Sequence, residues 1–157
     1  MAGVIPESDR SAPVIVFVGI QASGKTTFYR RFLAGTHVHV SMDNWPDRAI
    51  KRKREREAIL ECLQARKPFV VDNTNPARAD RERYFEYASP FGVPLIAYFF
   101  ESNYGACLER NNRREGRQRI PEAGVQRAFG RLEPPTIEEG FAAVRKVRIV
   151  GEGFEIE

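Results

Sequence analysis

The residues from Gly19 to Thr26 have the types and spacing that a phosphate-binding loop requires. They read Gly-Ile-Gln-Ala-Ser-Gly-Lys-Thr, which matches the pattern G-x-x-x-x-G-K-[ST] at every position. The two glycines allow backbone conformations that are closed to residues with a Cβ atom, so successive amide N–H groups can converge on one anion. The sequence therefore predicts a P-loop, whereas the plainer interpretation is a glycine-rich turn that binds nothing.

The flanking sequence favours the P-loop. Residues 14–18 form an uninterrupted apolar run typical of a buried strand, and Phe28, Phe32 and Leu33 follow at helical spacing. A helix that begins at the loop presents its positive end to the anion. In this setting we expect Lys25 to reach the β- and γ-phosphates of a nucleotide and the Thr26 hydroxyl to bind Mg²⁺. The predicted nucleotide-binding residues are Gly19, Gln21, Ala22, Ser23, Gly24, Lys25, Thr26 and Thr27.

Two aspartates follow the next two short apolar runs. Asp43 comes after residues 37–41, and Asp72 directly follows residues 69–71. In parallel sheets ligands gather beyond the carboxyl ends of the strands, and phosphoryl transfer needs a group that orients and deprotonates the acceptor hydroxyl. We therefore predict that Asp43 is the general base and that Asp72 holds Mg²⁺ directly or through water. Each can instead be a turn residue that caps the backbone.

Residues 110–119 contain five arginines against one glutamate. The segment has no apolar stripe to pack, so we predict a mobile lid that closes over the nucleotide. A guanidinium brought to the γ-phosphate stabilises charge in the transition state. Arg110 and Arg114, one helical turn apart, are the predicted catalytic arginines of this lid. The alternative is a solvated helix end whose cations interact with the helix dipole.

A second basic run lies at residues 48–56, with six basic residues against Glu55. Because the net charge of the chain is only +4, the positive charge is concentrated in these two runs. Such a distribution favours an anionic partner such as nucleic acid. A solvated helix face is the alternative for residues 48–56, since Glu55 and Glu57 can pair with neighbours one turn away.

Length and composition indicate one globular domain. The 157 residues suit a domain at residues 14–157 after a flexible leader at residues 1–13. The sequence has neither a run of about eighteen apolar residues nor the apolar centre of a signal peptide, so we expect no membrane association and a cytoplasmic location. Cys62 and Cys107 have no neighbours in metal-ligand spacing and are expected to be small buried hydrophobes.

Predicted strands and helices alternate along the chain. The strands are expected at residues 14–18, 37–41, 68–71, 95–100 and 147–150, and the helices at residues 26–33, 46–66, 76–88, 103–114 and 121–129. Asn75 is the expected N-cap of the third helix, with Pro76 in its first position. The alternation predicts an α/β fold with a mainly parallel sheet of about five strands and helices on both faces.

Five further segments give the chain a specific resemblance. They are Val70-Val71-Asp72-Asn73-Thr74-Asn75-Pro76, Arg83-Tyr84, Gly92-Val93-Pro94, Asn111-Asn112-Arg113 and Pro135-Thr136-Ile137-Glu138-Glu139-Gly140-Phe141. Together with the P-loop and Asp43, they resemble the kinase domain of the polynucleotide kinase-phosphatase family over residues 14–141. The resemblance implies a three-layer P-loop kinase fold with an Arg-rich lid, ATP and Mg²⁺ as cofactors, and the 5′-hydroxyl ends of DNA or RNA as acceptor.

The same resemblance assigns roles to individual residues. Lys25 and Thr26 take the phosphate and Mg²⁺ roles, Asp43 is the general base, and residues 110–114 form the lid. Arg114 matches the lid arginine of the phage-type enzymes best.

The chain also departs from the family's pattern. It has no D-x-D-G-T phosphatase signature, so that activity is expected to be absent or on another chain. Phage-type enzymes have an acceptor-gripping arginine three positions after the base, where this sequence has Pro46; Arg48 and Trp45 are candidate substitutes. Two alternatives therefore stand beside the polynucleotide kinase: a small-molecule kinase acting on a sugar, nucleoside or antibiotic hydroxyl, and a non-catalytic nucleotide-binding switch. The sequence does not indicate the oligomeric state.

Overall fold

The structure is a computed structural model that describes residues 4–157, so the first three residues of the predicted leader lie outside it. The strands are β1 (Val14–Val18), β2 (Val38–Val40), β3 (Phe69–Val71), β4 (Leu95–Phe100), β5 (Ala143–Val150) and β6 (Gly153–Ile156). The α-helices are α1 (Lys25–Phe32), α2 (Lys51–Ala65), α3 (Arg78–Ala88), α4 (Tyr104–Asn112) and α5 (Glu122–Arg131). Strands and helices alternate up to α4, and α4 and α5 both lie between β4 and β5, in the order that the sequence predicts.

The strands form one sheet in the order β2-β3-β1-β4-β5-β6. The first five strands are parallel, with β1 between β3 and β4 at the centre. Because the carboxyl ends of parallel strands meet at one edge, the segments that follow β1, β2 and β3 converge there. These segments carry the P-loop, Asp43 and Asp72.

Alternate residues of β1 face two different helical layers. Its even-numbered residues belong to a core with Ile59 of α2 and Tyr84 of α3, and its odd-numbered residues belong to a core with Phe28 of α1. No residue of β1 is more than 1% exposed. This arrangement confirms the predicted α/β class, a mostly parallel sheet with helices on both faces.

The sheet has one strand more than predicted. β6 pairs antiparallel with β5 through a turn in which Gly151 has a φ of +59°. Only Phe154 and Ile156 mark it as a strand, and both are half-buried at the sheet edge. Two apolar residues in alternation are too short a pattern to predict a strand.

Two predicted helix starts are wrong. Asn75 is not an N-cap: its φ is +45°, its Nδ2 donates to the Phe17 carbonyl at 2.9 Å, and its Oδ1 accepts from the Tyr84 hydroxyl at 2.8 Å. Since this side chain ties the turn to β1, α3 begins at Arg78, two residues later than predicted. The second helix begins at Lys51 rather than at residue 46, because residues 47–50 form a turn in which Asp47 Oδ1 accepts from the Ala49 N–H at 2.9 Å.

The segment before β1 is packed, whereas a flexible leader was expected. Ile5 and Ala12 are buried, and Asp9 is 1% exposed. The Asp9 carboxylate accepts hydrogen bonds from Arg145 of β5 at 2.9 and 3.0 Å and from the Tyr98 hydroxyl of β4 at 2.8 Å. A buried carboxylate needs such partners, and they fix this segment against the sheet.

Two smaller expectations concern cysteines and membranes. Cys62 and Cys107 are both buried, as expected. None of the helices within residues 4–157 has the length and apolar character needed to cross a bilayer.

Candidate active site

The P-loop connects β1 to α1 and depends on its two glycines. Gly24, the N-cap of α1, has a φ of +97°, a left-handed conformation that favours glycine. A Cβ atom on Gly19 would lie 2.8 Å from Ser23 Oγ and 3.0 Å from Phe100 Cβ, so no larger residue fits without a shift. The loop is therefore tightly folded over the end of β4.

The Lys25 ammonium lies inside this loop. Its Nζ donates to the carbonyls of Gly19 at 2.8 Å and Ile20 at 2.9 Å. Burial is the largest influence and lowers the pKa of Lys25, the charge of Asp72 opposes this, and the positive charge of Arg114 lowers it further. The net effect is a lysine pKa below its ordinary value, at a position where an anion would stabilise the charge.

Asp72 connects the P-loop helix to β2. Its Oδ2 accepts from the Thr26 hydroxyl at 2.7 Å and from His39 Nε2 at 2.8 Å. Burial would raise the pKa of this carboxyl, but the hydrogen bonds from His39 and Thr26 and the charge of Lys25 outweigh it, so the pKa of Asp72 is lowered. Asp72 is thus an ionised carboxylate beside the Thr26 oxygen.

The residues present fit a phosphate group and Mg²⁺. Ser23 Oγ is buried in the loop without a hydrogen-bond partner among the described residues, next to the buried Lys25 cation. Thr26 and Asp72 offer the oxygen ligands that Mg²⁺ prefers. Within residues 4–157 there is no cluster of three acidic, histidine or cysteine side chains able to hold a metal ion by itself. Such a site suits Mg²⁺, which usually combines one or two carboxylates with substrate phosphates.

Asp43 lies on a short 3₁₀ turn, Met42–Asn44, directly after β2. The residue is exposed, and its charge acts on the pKa of Lys25, so both belong to one electrostatic site. The turn is held by Asn73, whose Oδ1 accepts from the Met42 N–H at 2.9 Å. Trp45 follows this turn. Its backbone N–H donates to the Met42 carbonyl, and its half-buried side chain packs against the core.

A buried hydrogen-bond network holds the Asn73 side chain. Its Nδ2 donates to Glu55 Oε2 at 2.6 Å, and Glu55, which is 0% exposed, also accepts from Arg83 at 2.8 Å. The basic run at residues 48–56 therefore contains one acidic residue that points into the protein. That residue indirectly fixes the turn with Asp43.

The arginine-rich segment begins in α4, which ends at Asn112, two residues earlier than predicted. Arg110 Nε donates to the Ala22 carbonyl of the P-loop at 2.7 Å. Arg114 is half-buried, and its charge acts on Lys25. The structure thus brings both predicted catalytic arginines to the P-loop, with Arg110 on its backbone.

Two further contacts close this segment. The buried Asn111 side chain donates to the Ile120 carbonyl at 2.7 Å and accepts from the Ile120 N–H at 3.0 Å, so the loop at residues 113–119 has its two ends held together. At its tip Arg117 Nη2 donates to the Asp43 carbonyl at 3.1 Å. The loop therefore connects the P-loop side of the site to the Asp43 turn.

A cleft of about 190 Å³ opens beside this turn, with Met42 in its wall. We call it the arginine cleft, because Arg52, Arg83, Arg127 and Arg131 line it against one acid, Asp80. Arg83 and Arg131 are paired with Glu55 and Asp80. Arg52 and Arg127 form no salt bridge among the described residues, so their charges are available to a ligand. Of the basic run at residues 48–56, Arg52 lines the cleft. Arg48 and Trp45, the two candidate substitutes for the acceptor-gripping arginine, do not line it.

A second cavity has a volume of about 450 Å³. Its walls come from the end of β4, from α4 with Arg110, and from Arg148 and Ile149 of β5. Ile149 also lies against the loop, 3.1 Å from where a Cβ of Gly24 would be. Through Arg110 and Ile149, this second cavity adjoins the P-loop.

Sequence reasoning did not assign four residues to this site: His39, Glu55, Asn73 and Arg127. Asn73 lies within a segment of the family resemblance, but its contact to Met42 joins residues 31 positions apart. His39, on a short strand next to His37, carries no local signal. Arg127 is one of many arginines, and only the cleft distinguishes it.

The fold and the loop define the class, a P-loop domain of the kinase type. A sequence profile of the family described as AAA domain matches residues 14–135, and the chain therefore belongs to the AAA domain family.

One curated relative is the bifunctional polynucleotide phosphatase/kinase of Schizosaccharomyces pombe, which is 28% identical over 139 residues. The match covers 85% of this chain, which spans a third of that relative's length. It confirms the resemblance to the kinase domain of polynucleotide kinase-phosphatases.

Two solved structures share the fold. A fungal RNA kinase has a TM-score of 0.69 at 16% identity, covering 87% of this chain and 75% of its own. A gluconokinase from Sinorhizobium meliloti 1021 has a TM-score of 0.61 at 22% identity, covering 90% and 85%. At these identities the likeness shows the fold alone.

Proposed function

We propose that this protein is an ATP-dependent kinase that transfers the γ-phosphate to the 5′-hydroxyl ends of DNA or RNA, as part of nucleic-acid end repair. Lys25 and the P-loop would hold the phosphates, and Thr26 and Asp72 would hold Mg²⁺. The similarity to a polynucleotide phosphatase/kinase supports this activity. The observation that carries the choice of acceptor is the arginine cleft beside Asp43.

The position and charge of the arginine cleft favour a polyanionic acceptor. Met42 links its wall to the turn with Asp43, so a strand held in the cleft could direct its 5′ end to this carboxylate. Arg52 from α2 and Arg127 from α5 would bind backbone phosphates by charge-assisted hydrogen bonds. They would also replace the arginine missing at Pro46. A small neutral hydroxyl compound would not need two arginines that lack salt-bridge partners among the described residues.

The donor side would use the second cavity. Because it lies against the P-loop next to Arg110 and Ile149, it is the natural place for the nucleoside part of ATP. Lys25 Nζ would exchange its loop carbonyls for phosphate oxygens, and Arg114 would add a second cation there.

The proposed reaction is a direct displacement at phosphorus. The Asp43 carboxylate takes the proton of the 5′-hydroxyl while the 5′ oxygen forms a bond to the γ-phosphorus. The bond between the γ-phosphorus and the oxygen that bridges it to the β-phosphate breaks, which releases ADP. Bound Mg²⁺ would neutralise part of the phosphate charge. Lys25 and Arg114 stabilise the charge that remains.

Incubation with γ-labelled ATP and Mg²⁺ tests this proposal. The acceptors are 5′-hydroxyl DNA and RNA oligonucleotides and a panel of sugars, nucleosides and aminoglycosides, and we expect label only on the oligonucleotides. Asp43→Asn should reduce kcat severely while ATP and oligonucleotide binding persist, because the amide keeps the shape but accepts no proton. Label only on small hydroxyl compounds would contradict the proposed acceptor, and ATP binding without transfer would indicate a switch.

A matched pair of variants tests the cleft. Arg52→Gln with Arg127→Gln should weaken oligonucleotide binding regardless of sequence and reduce the slope of log K against log salt by roughly 0.7 to 0.9 per lost phosphate contact. Lys53→Gln with Arg56→Gln removes the same charge from exposed positions of α2 outside the cleft and should have a smaller effect. Equal effects of the two pairs of substitutions would contradict a role of the arginine cleft in binding the acceptor.

A further inference from the structure

His39 is held in one orientation on the edge strand β2. Its ring stacks on Tyr29 of α1, with centroids 4.3 Å apart and planes at 27°. Tyr29 is in turn fixed, because its hydroxyl donates to the His37 carbonyl at 2.5 Å. The histidine side chain is 26% exposed and reaches past the end of its strand to Asp72.

The contact between His39 and Asp72 has a defined direction. The 2.8 Å contact joins His39 Nε2 to a carboxylate oxygen, which accepts hydrogen bonds, so Nε2 carries the hydrogen. Thr26 donates its hydroxyl hydrogen to the same oxygen, Oδ2. Both donors therefore bind Oδ2 of Asp72. The other carboxylate oxygen, Oδ1, accepts no hydrogen bond within residues 4–157.

This arrangement also orients Thr26. Since its hydrogen is committed to Asp72, the lone pairs of Thr26 Oγ1 face away from the carboxylate and are free to bind a cation. The carboxylate keeps this position only while its other donor holds it. Loss of the His39 N–H would let the Asp72 side chain rotate and release Thr26.

We propose that His39 is a positioning residue for Mg²⁺-dependent nucleotide binding, acting through Asp72 and Thr26. The inference rests on the metal role of these two residues in the proposed function, and it does not depend on the acceptor. Partners that orient metal ligands in this way typically contribute 10- to 100-fold in metal affinity or activity.

Two substitutions distinguish the contribution of the His39 N–H from that of the His39 ring. His39→Phe keeps a ring to stack on Tyr29 but has no donor. His39→Gln places an amide N–H near the position of Nε2. His37→Gln is the matched control, because His37 lies two residues away and contacts the Ala12 carbonyl and Thr36 instead of the metal residues.

The readout is nucleotide binding by titration calorimetry at a series of Mg²⁺ concentrations and in EDTA. We expect His39→Phe to raise the Mg²⁺ concentration for half-maximal binding by about tenfold or more, with affinity in EDTA unchanged. His39→Gln should restore most of the loss, and His37→Gln should match the wild type. In the kinase assay, excess Mg²⁺ should return the kcat of His39→Phe towards the wild-type value.

Three results would overturn the inference. They are a wild-type Mg²⁺ dependence in His39→Phe, an equal loss of affinity in EDTA, and an equal shift in His37→Gln. The last would indicate general loosening of β2. Because the binding assay contains no oligonucleotide, a wild-type protein that binds Mg²⁺ and ATP but transfers no phosphate would contradict the proposed function without affecting this test.

Discussion

The charge of Lys25 depends on residues that come from separate segments of the chain. Asp72 follows β3, Arg114 follows α4, and both act on the lysine within the P-loop. Lys25 and Arg114 repel each other in the protein, so an anion between them stabilises both charges. The P-loop was predictable because its pattern is contiguous in the sequence. The contacts of Arg110 and Arg117 with distant carbonyls were not, because no local pattern encodes them.

The role of Arg114 can be tested by its kinetics. Arg114→Ala should lower kcat by roughly 10³-fold or more with little change in the KM for ATP, because in the proposed function Arg114 stabilises charge that is greatest in the transition state. Arg114→Lys should restore little, since lysine lacks the planar guanidinium. Arg113→Ala is the control, because the Arg113 side chain is exposed and, among the described residues, forms an ion pair only with Glu109. A variant that changes only the KM for the oligonucleotide would place Arg114 on the acceptor strand.

At the level of the elements, helix and strand types were predictable from the sequence, but the joints between them were not. The apolar runs of β1, β3 and β4 define their own bounds. The turn after β3 is different, because its conformation is set by Asn75 reaching β1 and by the buried Arg81 of α3. Arg81 donates to the carbonyls of Asn75 and Pro76 and forms a bidentate pair with Glu139 at 2.8 Å.

This pair gives a stability prediction. Arg81 is 0% exposed and the Glu139 side chain 3%, so Arg81→Ala would leave a buried carboxylate unpaired and should reduce the free energy of unfolding by about 3–5 kcal/mol. Arg81→Met combined with Glu139→Leu removes both charges and should be clearly more stable than the single variant. Urea unfolding measures both, with the exposed Arg78→Ala as control. A single variant as stable as this control would contradict the prediction.

Across the whole molecule, the segment before β1 is held to the sheet by the Asp9 carboxylate. It was expected to be a leader because its composition is polar, yet its one buried acid finds partners on β4 and β5. Burial would raise the pKa of Asp9, but the hydrogen bonds from Arg145 and Tyr98 outweigh it, so the folded pKa lies below the ordinary value of 3.8. The ionised form is therefore stabilised by folding.

The pH dependence of stability follows from the lowered pKa of Asp9. Asp9→Asn should lower stability at neutral pH, and the difference from the wild type should shrink as the pH falls below 3.8 and through the lowered pKa, because the wild-type carboxylate is then protonated. Thermal unfolding from neutral pH to about pH 3 measures this difference. Glu7→Gln, in the same segment but with an exposed ion pair, should show little effect. A difference that stays constant with pH would exclude the Asp9 charge as its cause.

Trp45 gives the protein a fluorescence signal that originates close to Asp43 in the sequence. It is the only tryptophan in the sequence, and it stands two residues after Asp43 on the turn that Asn73 holds. All indole fluorescence of the chain therefore originates at this turn. A change in emission intensity or wavelength when an oligonucleotide is added would report the surroundings of the proposed acceptor end directly, in the unlabelled protein.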